Sequence, residues 1–291
     1  MRRALIILAL LHFGCSTDNN SGNNPPGDGG PDGGADGGFD GPSGELVDVH
    51  VSITADNAYG FGYGSQTSLA HYFLGVEDGG GQIFFCSAVC DEQTPCAGDL
   101  TCDQFGTCNG DRMGPEMYVV PASATQGVEY LYVITWSDES VTQGLIAQFA
   151  TSNGSNTIYT GDEAWEVCAT GVDYDPGTGG PSTTVIDDYL TKCTNSPGDT
   201  FSGGWLGTTP NGSGRGLVIL EPAQETGNFA NVCGRQAGDA GKGDTLDAGA
   251  KWIWFDDVVG ASPGAFTSNG QPRGDFLIFR LPLGVVVPPI S

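Results

Sequence analysis

The chain has 291 residues, 48 glycines, 17 prolines and a formal net charge of -25, with charged residues making up only 15% of it. Such an anion is repelled by nucleic acid and by acidic lipid surfaces, so neither is expected as a partner. Few windows carry the 3.6-residue apolar period of an amphipathic helix. Short apolar runs divided by Gly, Asn, Asp and Pro instead predict an all-β sandwich or barrel of one or two domains.

Residues 1–14 open with Arg2 and Arg3 and continue with an apolar run from Ala4 to Leu11, too short to span a bilayer. This is the pattern of an export signal. The run ends at Gly14-Cys15 and a polar Ser-Thr-Asp-Asn-Asn follows. The junction resembles a bacterial lipoprotein signal, and the resemblance implies that Cys15 becomes the lipidated first residue of the mature chain. Ser16, where inner-membrane retention uses aspartate, implies an outer-membrane lipoprotein facing the periplasm or the cell surface. Loss of the signal lowers Lys+Arg from 10 to 8, so 8 minus 35 gives -27.

Residues 15–45 hold no large apolar side chain except Phe39, and Asp28, Asp32, Asp36 and Asp40 recur every fourth position. An EF-type Ca²⁺ loop needs alternating ligands and a closing Glu, which this repeat lacks. The segment is expected to be an acidic, Gly/Pro-rich disordered tether, with a coil dimension of roughly 30 Å.

Residues 46–291 are expected to form the β-sandwich domain. Val47 to Tyr63 is the stretch around which it is organised: alternating Val47, Val49, Val51 and Ile53, an Ala55-Asp56-Asn57 turn, then an aromatic-glycine strand. It reads as a founding hairpin. Two short strands are expected next, in SLAHYFL and QIFFC, around a turn at Asp78–Gly81. The insert 86–108 is poor in apolar residues and rich in cysteine.

Apart from Cys15 the cysteines are Cys86, Cys90, Cys96, Cys102, Cys108, Cys168, Cys193 and Cys233, an even set that suits four disulfides in an oxidising compartment. Five of them lie in 86–108. Five is odd, so at least one must bridge to Cys168, Cys193 or Cys233 if all pair. The spacing does not match paired CxxC zinc knuckles, and no His lies nearby.

Further strands are expected at Tyr118–Pro121, Tyr130–Trp136 (apolar on both faces), Gly144–Phe149, within TIYTGDEAWEVCATG, and at Gly216–Leu220, Ala250–Phe255 and Asp275–Leu283. A helix is expected at Val185–Cys193, with Asp187 and Asp188 in its first turn. Whether the loop-rich region 170–245 belongs to the core or is an insertion stays open.

Several short motifs recur in a telling order: Ala55-Asp56-Asn57 with Tyr59-x-Phe61, then YLYVITW, then GLIAQF. After these come Thr160-x-Asp162-x-x-Trp165-x-Val167, Gly204-Trp205 and Trp252-Ile253-Trp254. In this order they resemble galactose-binding-like jelly-roll domains. The resemblance implies an eight- or nine-stranded sandwich that binds a glycan or a surface polymer, often with a structural Ca²⁺. Gly60, Gly62 and Gly64 stand where such domains usually carry Y-V-N-G.

For sugar binding, aromatic rings stack on C–H faces while Asp or Asn accepts hydroxyl hydrogens. Tyr59, Tyr63, Trp136, Trp205 and Trp254 are the aromatic candidates, against the alternative that aromatics at period two in strands form core. Trp165, Trp252 and Trp254 read as core, and Trp205, set among Gly203, Gly204 and Gly207, as the exposed one. Asp56 and Asn57 are candidates for a Ca²⁺ or sugar ligand set, or for a plain Asx turn. The expected ligand contacts are therefore Asp56, Asn57, Tyr59, Tyr63 and Trp205.

Catalytic residues are not expected. Gly260-Ala261-Ser262-Pro263-Gly264 matches a nucleophile elbow, but Pro263 lacks the N–H that would donate to an oxyanion. Carboxylate pairs at Asp138-Glu139, Asp162-Glu163, Asp187-Asp188 and Asp256-Asp257 keep a glycoside hydrolase as a third reading. The second is an assembly lipoprotein that holds an envelope protein partner.

Overall fold

The computed structural model describes residues 47–56, 58–75, 82–86, 90–93, 95–97, 101–102, 108–109, 114–125, 127–136, 143–174, 179–208, 215–234, 246–257, 266 and 275–288. Cys15, the 15–45 tether, Asn57, Asp138-Glu139 and the 260–264 motif lie outside them.

The protein is mostly β, built on two antiparallel sheets. The strands are β1 (Val49–Asp56), β2 (Ala58–Gly64), β3 (Leu69–Leu74), β4 (Thr101–Cys102), β5 (Cys108–Asn109), β6 (Glu116–Val120) and β7 (Tyr130–Trp136). They continue as β8 (Gly144–Thr151), β9 (Thr157–Tyr159), β10 (Glu166–Asp173), β11 (Gly216–Leu220), β12 (Trp252–Asp256) and β13 (Asp275–Pro282). The first sheet runs β11-β12-β8-β1-β6, with β9 also on β8. The second runs β10-β13-β7-β2-β3.

The expected hairpin at 47–63 is instead a corner. β1 pairs with β6 and β8 in the first sheet, while β2 pairs with β3 and β7 in the second. The chain changes sheets between β1 and β2, so Val49, Val51, Ile53 and Ala55 face Tyr59, Phe61 and Tyr63 across the sandwich, in one buried cluster. The apolar alternation of each strand is satisfied by the opposite sheet, which burial favours over pairing the two strands side by side.

β7 is apolar on both faces because the second sheet is covered on both. Its inner face meets the first sheet. Its outer face meets α1 (Thr183–Asn195), which buries Ile186, Leu190 and Cys193 against Tyr132, Ile134, Trp136, Phe276 and Ile278. Ser182 caps the helix, its side chain accepting from the Val185 N–H, and Pro197 follows shortly after its end. The helix starts earlier than Val185, so Asp187 and Asp188 fall beyond its first turn; Asp188 pairs with Lys192 on the exposed face at 2.6 Å. Cys168–Cys193 fastens the helix to β10.

QIF, expected as a strand, is a 3-10 turn (Gln82–Phe84) lying on the outer face of the first sheet. Thr54 Oγ1 donates to Ile83 O at 2.8 Å, and Cys233 N donates to Phe84 O at 3.0 Å. Cys86–Cys233 joins this turn to a second 3-10 segment (Gly227–Asn231). Phe84, Phe229 and Trp252 pack together beneath it. Cys90–Cys102 and Cys96–Cys108 cross-link the small β4-β5 insert. All eight cysteines are paired, and Cys86 is the one that leaves the insert.

Trp165 stands just before β10. The Thr160-x-Asp162-x-x-Trp165 motif is a tight bend between β9 and β10. Thr160 Oγ1 accepts from Ala147 N at 3.0 Å, Asp162 Oδ1 accepts from Ala164 N at 2.9 Å, and the Trp165 indole N–H donates to Tyr159 O at 3.0 Å. Trp165, Trp252 and Trp254 are all buried, as expected of core.

Candidate functional site

The residues singled out for ligand binding do not assemble into one site. Tyr59 and Tyr63 lie within the sandwich on the inner face of the second sheet, both buried. Trp136 and Trp254 are buried too, and so is Asp56, the last residue of β1. Trp205 sits against the opposite, α1-covered face of that sheet.

Trp205 is half-buried rather than open. The Arg280 guanidinium lies 3.9 Å from its ring centroid and 4.6 Å from that of Tyr130, forming a cation held by two aromatic faces. Arg280 Nε and an outer guanidinium nitrogen both donate to Glu166 Oε2 at 2.7 Å. The Trp205 indole N–H donates to Thr194 Oγ1 at 3.1 Å. One ring face is thus occupied by a side chain of β13, and the residue ties β10, β13 and α1 together.

The glycines of β2 have the same kind of explanation. Their outer face is filled by β3: a Cβ at Gly60 would strike the Tyr72 phenol ring, and one at Gly62 would come 2.8 Å from His71 O. The aromatic residues between them all point inward, which is why they are buried.

Among the described residues, the flank where the two sheets end together is the part left uncovered. β3 and β6 are the last strands of their sheets on that side. The inner side chain Phe73 of β3 reaches Tyr118 of β6, ring centroids 5.9 Å apart, and His71 stacks on Tyr63 at 4.8 Å. Beneath them Glu116 Oε2 accepts from the Tyr59 phenol at 2.6 Å and from the Tyr118 phenol at 3.1 Å. Burial, reinforced by the Glu116 carboxylate, pushes both phenols well above their ordinary range, so they stay protonated and act as fixed donors.

The exposed large apolar side chains among the described residues are Phe73 (41% exposed), Leu74 (57%) and Phe85 (56%). Two of the three are adjacent on β3. The strand itself, Leu-Ala-His-Tyr-Phe-Leu, has no Lys, Pro or carboxylate, the devices that usually shield a sheet edge. Gly75 N donates to Tyr59 O. The antiparallel alternation therefore turns the backbone groups of His71 and Phe73 toward β2 and those of Tyr72 and Leu74 outward.

The surroundings are acidic. The chain carries no Lys or Arg between Arg3 and Arg112, nor between Arg112 and Lys192, so β1 through β10 contain none. Near the edge, Glu129 Oε2 accepts from Gln66 N at 2.9 Å and Asp187 Oδ1 accepts from Leu69 N at 2.8 Å.

Sequence reasoning missed Glu116, Tyr118, His71, Phe73, Leu74 and Arg280. The signal for His71, Phe73 and Leu74 was the uncharged run 69–74, which fits an edge as well as a central strand until its neighbours are known. Of the carboxylate pairs, Asp162 is used in a bend and Asp187-Asp188 on α1. Among the described residues no helix is long and apolar enough to cross a membrane. No family model matches the chain, and neither does any curated protein or solved structure.

Proposed function

We propose that this chain is a non-catalytic binding module, displayed outside the cytoplasm on a lipid anchor at Cys15, that holds an extracellular polymer along the β3–β6 flank. The observation that carries the reading is the pair of exposed apolar side chains on an unshielded edge strand, in a sandwich whose two sheets are elsewhere covered by α1, the 3-10 turns and each other. Exposed apolar groups of this kind, rimmed by polar ones, mark interaction sites. Four disulfides support an oxidising location. The kinship with galactose-binding-like jelly rolls rests on the motif order in the sequence, with the two-sheet sandwich in support.

A glycan is a second reading of the same flank. It is favoured by the partly open Phe73 ring beside Tyr118 and Glu116, a stacking surface next to hydroxyl-binding groups. Asp56 and Asn57 remain the sequence's candidates for a structural Ca²⁺, so binding is to be measured with Ca²⁺ and with a chelator.

A screen of the whole chain against arrayed glycans and envelope polymers, repeated with Phe73→Ala, tests the flank. Retained binding by Phe73→Ala moves the site elsewhere, and no binding by either protein sinks the module reading. Cys15→Ala is expected to release the protein from membranes; unchanged fractionation refutes the anchor.

A further inference from the structure

Resting on the flank reading just given, we infer that the polymer is a polypeptide: an extended, basic segment of a partner protein that adds to the second sheet as a strand beside β3. The backbone chemistry argues for this first. Tyr72 and Leu74 turn their N–H and C=O groups away from β2, and no further strand pairs with them among the described residues. An added strand satisfies such groups with main-chain hydrogen bonds, which a sugar cannot match in spacing.

Side-chain placement argues next. Successive residues of a strand point to opposite faces, so Phe73 stands on the Tyr118 side and Leu74 on the other. A strand laid against β3 covers both at once, whereas a ring stacked on Phe73 leaves Leu74 in water. The side chains expected to serve as sugar platforms are meanwhile buried or, at Trp205, covered by Arg280.

Charge selects among polypeptides. The strands β1 to β10 carry no Lys or Arg, and Glu116, Glu129 and Asp187 lie around the edge. A second copy of this chain would bring another -25 of like charge to the same edge. A segment with Lys or Arg on alternate positions meets carboxylates instead, gaining in association rate and in register.

The test uses the whole chain and three probes. One is a capped peptide of alternating Lys and Val. The second is the same peptide with its backbone amides methylated on alternate residues, so that charge and side chains persist while strand pairing is blocked. The third is a soluble neutral glucan.

Binding is followed by fluorescence anisotropy, with hydrogen exchange read at the β3 amides. The first peptide is expected to bind, to weaken with added salt, and to protect the Tyr72 and Leu74 amides, while its methylated twin binds at least about ten-fold more weakly. Leu74→Pro removes an outward N–H without touching the β2 ladder, and is expected to lose binding by a similar factor. Phe73→Ala, a truncation at an exposed ring that leaves the backbone intact, guards against misfolding of the proline variant and is expected to weaken binding as well.

Equal binding of the methylated twin overturns the proposal in favour of adsorption by charge. Glucan binding that Phe73→Ala abolishes and Leu74→Pro spares overturns it in favour of a sugar and leaves the flank reading standing. Failure of the peptide to bind wild type overturns the strand, and the polymer screen then judges the flank separately.

Discussion

Removing Glu166 isolates a charge that the second sheet holds on its outer face. Arg280 is 9% exposed, and its guanidinium rests between the Trp205 and Tyr130 rings. Glu166 accepts two N–H groups from it through a single oxygen. Hydrogen bonds to charged groups contribute about 1.5–3 kcal/mol, but the Glu166 side chain is 35% exposed, so water replaces part of what Glu166→Ala removes. The cost is then about 1–2 kcal/mol, or roughly 3–6 °C in Tm for a body of this size.

Arg280→Met removes the same bonds together with two cation–ring contacts, each of about 0.5–2 kcal/mol, yet leaves no buried charge behind; about 2–3 kcal/mol is expected. The double variant should cost little more than Arg280→Met alone, with a coupling of about 1–2 kcal/mol. Urea titration with a common slope measures all three. Additivity within about 0.5 kcal/mol would refute the account, leaving Arg280 held by its rings alone.

Three further outcomes follow from the same structure. Cys86–Cys233 closes a separation of 147 residues against 12 for Cys90–Cys102, so the chain-entropy relation assigns about 5 and about 3 kcal/mol respectively; replacing each pair by Ala and comparing urea midpoints should rank them in that order. Burial raises the phenols of Tyr59, Tyr72, Tyr118 and Tyr132 above the ordinary 10.0, so the folded chain keeps protons that the unfolded chain releases. Stability is therefore level below about pH 10 and falls above it, by about 1.4 kcal/mol per unit for each group, and Tyr59→Phe should make the fall shallower in urea titrations from pH 9 to 11. Gly64→Ala places a Cβ 2.8 Å from Leu69 Cα and 2.9 Å from Ala70 N, backbone that cannot swing aside, and about 1–3 kcal/mol should be lost, whereas Gly127→Ala meets nothing within 4 Å and should be near neutral in thermal melting.

The strands themselves were legible because their signal is local. β7 is buried at every position after Tyr130, and β11, β12 and β13 each begin or end within two residues of the expected bounds. Cysteine parity was enough to require one bridge out of the insert, which is Cys86–Cys233. Pairing was not legible, because it depends on segments far apart in the chain. Asp56-Asn57 has the composition of a hairpin turn, yet β1 finds its partners at 116–120 and 144–151 and β2 at 130–136. Two strands with apolar faces can pair side by side or face each other across a core, and the alternation is identical in both cases.

The candidate site failed for a related reason. An aromatic-glycine alternation shows that the rings share one face of β2, but not which face is covered. Here Tyr72 fills the glycine face and the first sheet covers the aromatic one, so both are closed. A ligand excluded from the faces of a sandwich has its edges left, and an edge recognises what an edge is made of. The first sheet has β11 and β6 as its ends and the second has β10 and β3, but β10 is tied to α1 through Cys168–Cys193 and bridged to Leu206 through Val167. Among the described residues no further strand pairs with the outer edge of β3, and Leu69 N donates to Asp187 at its first residue. Phe73 and Leu74, among the described residues, stand partly open at the far end of that strand, and it is there that the inferred segment would pair.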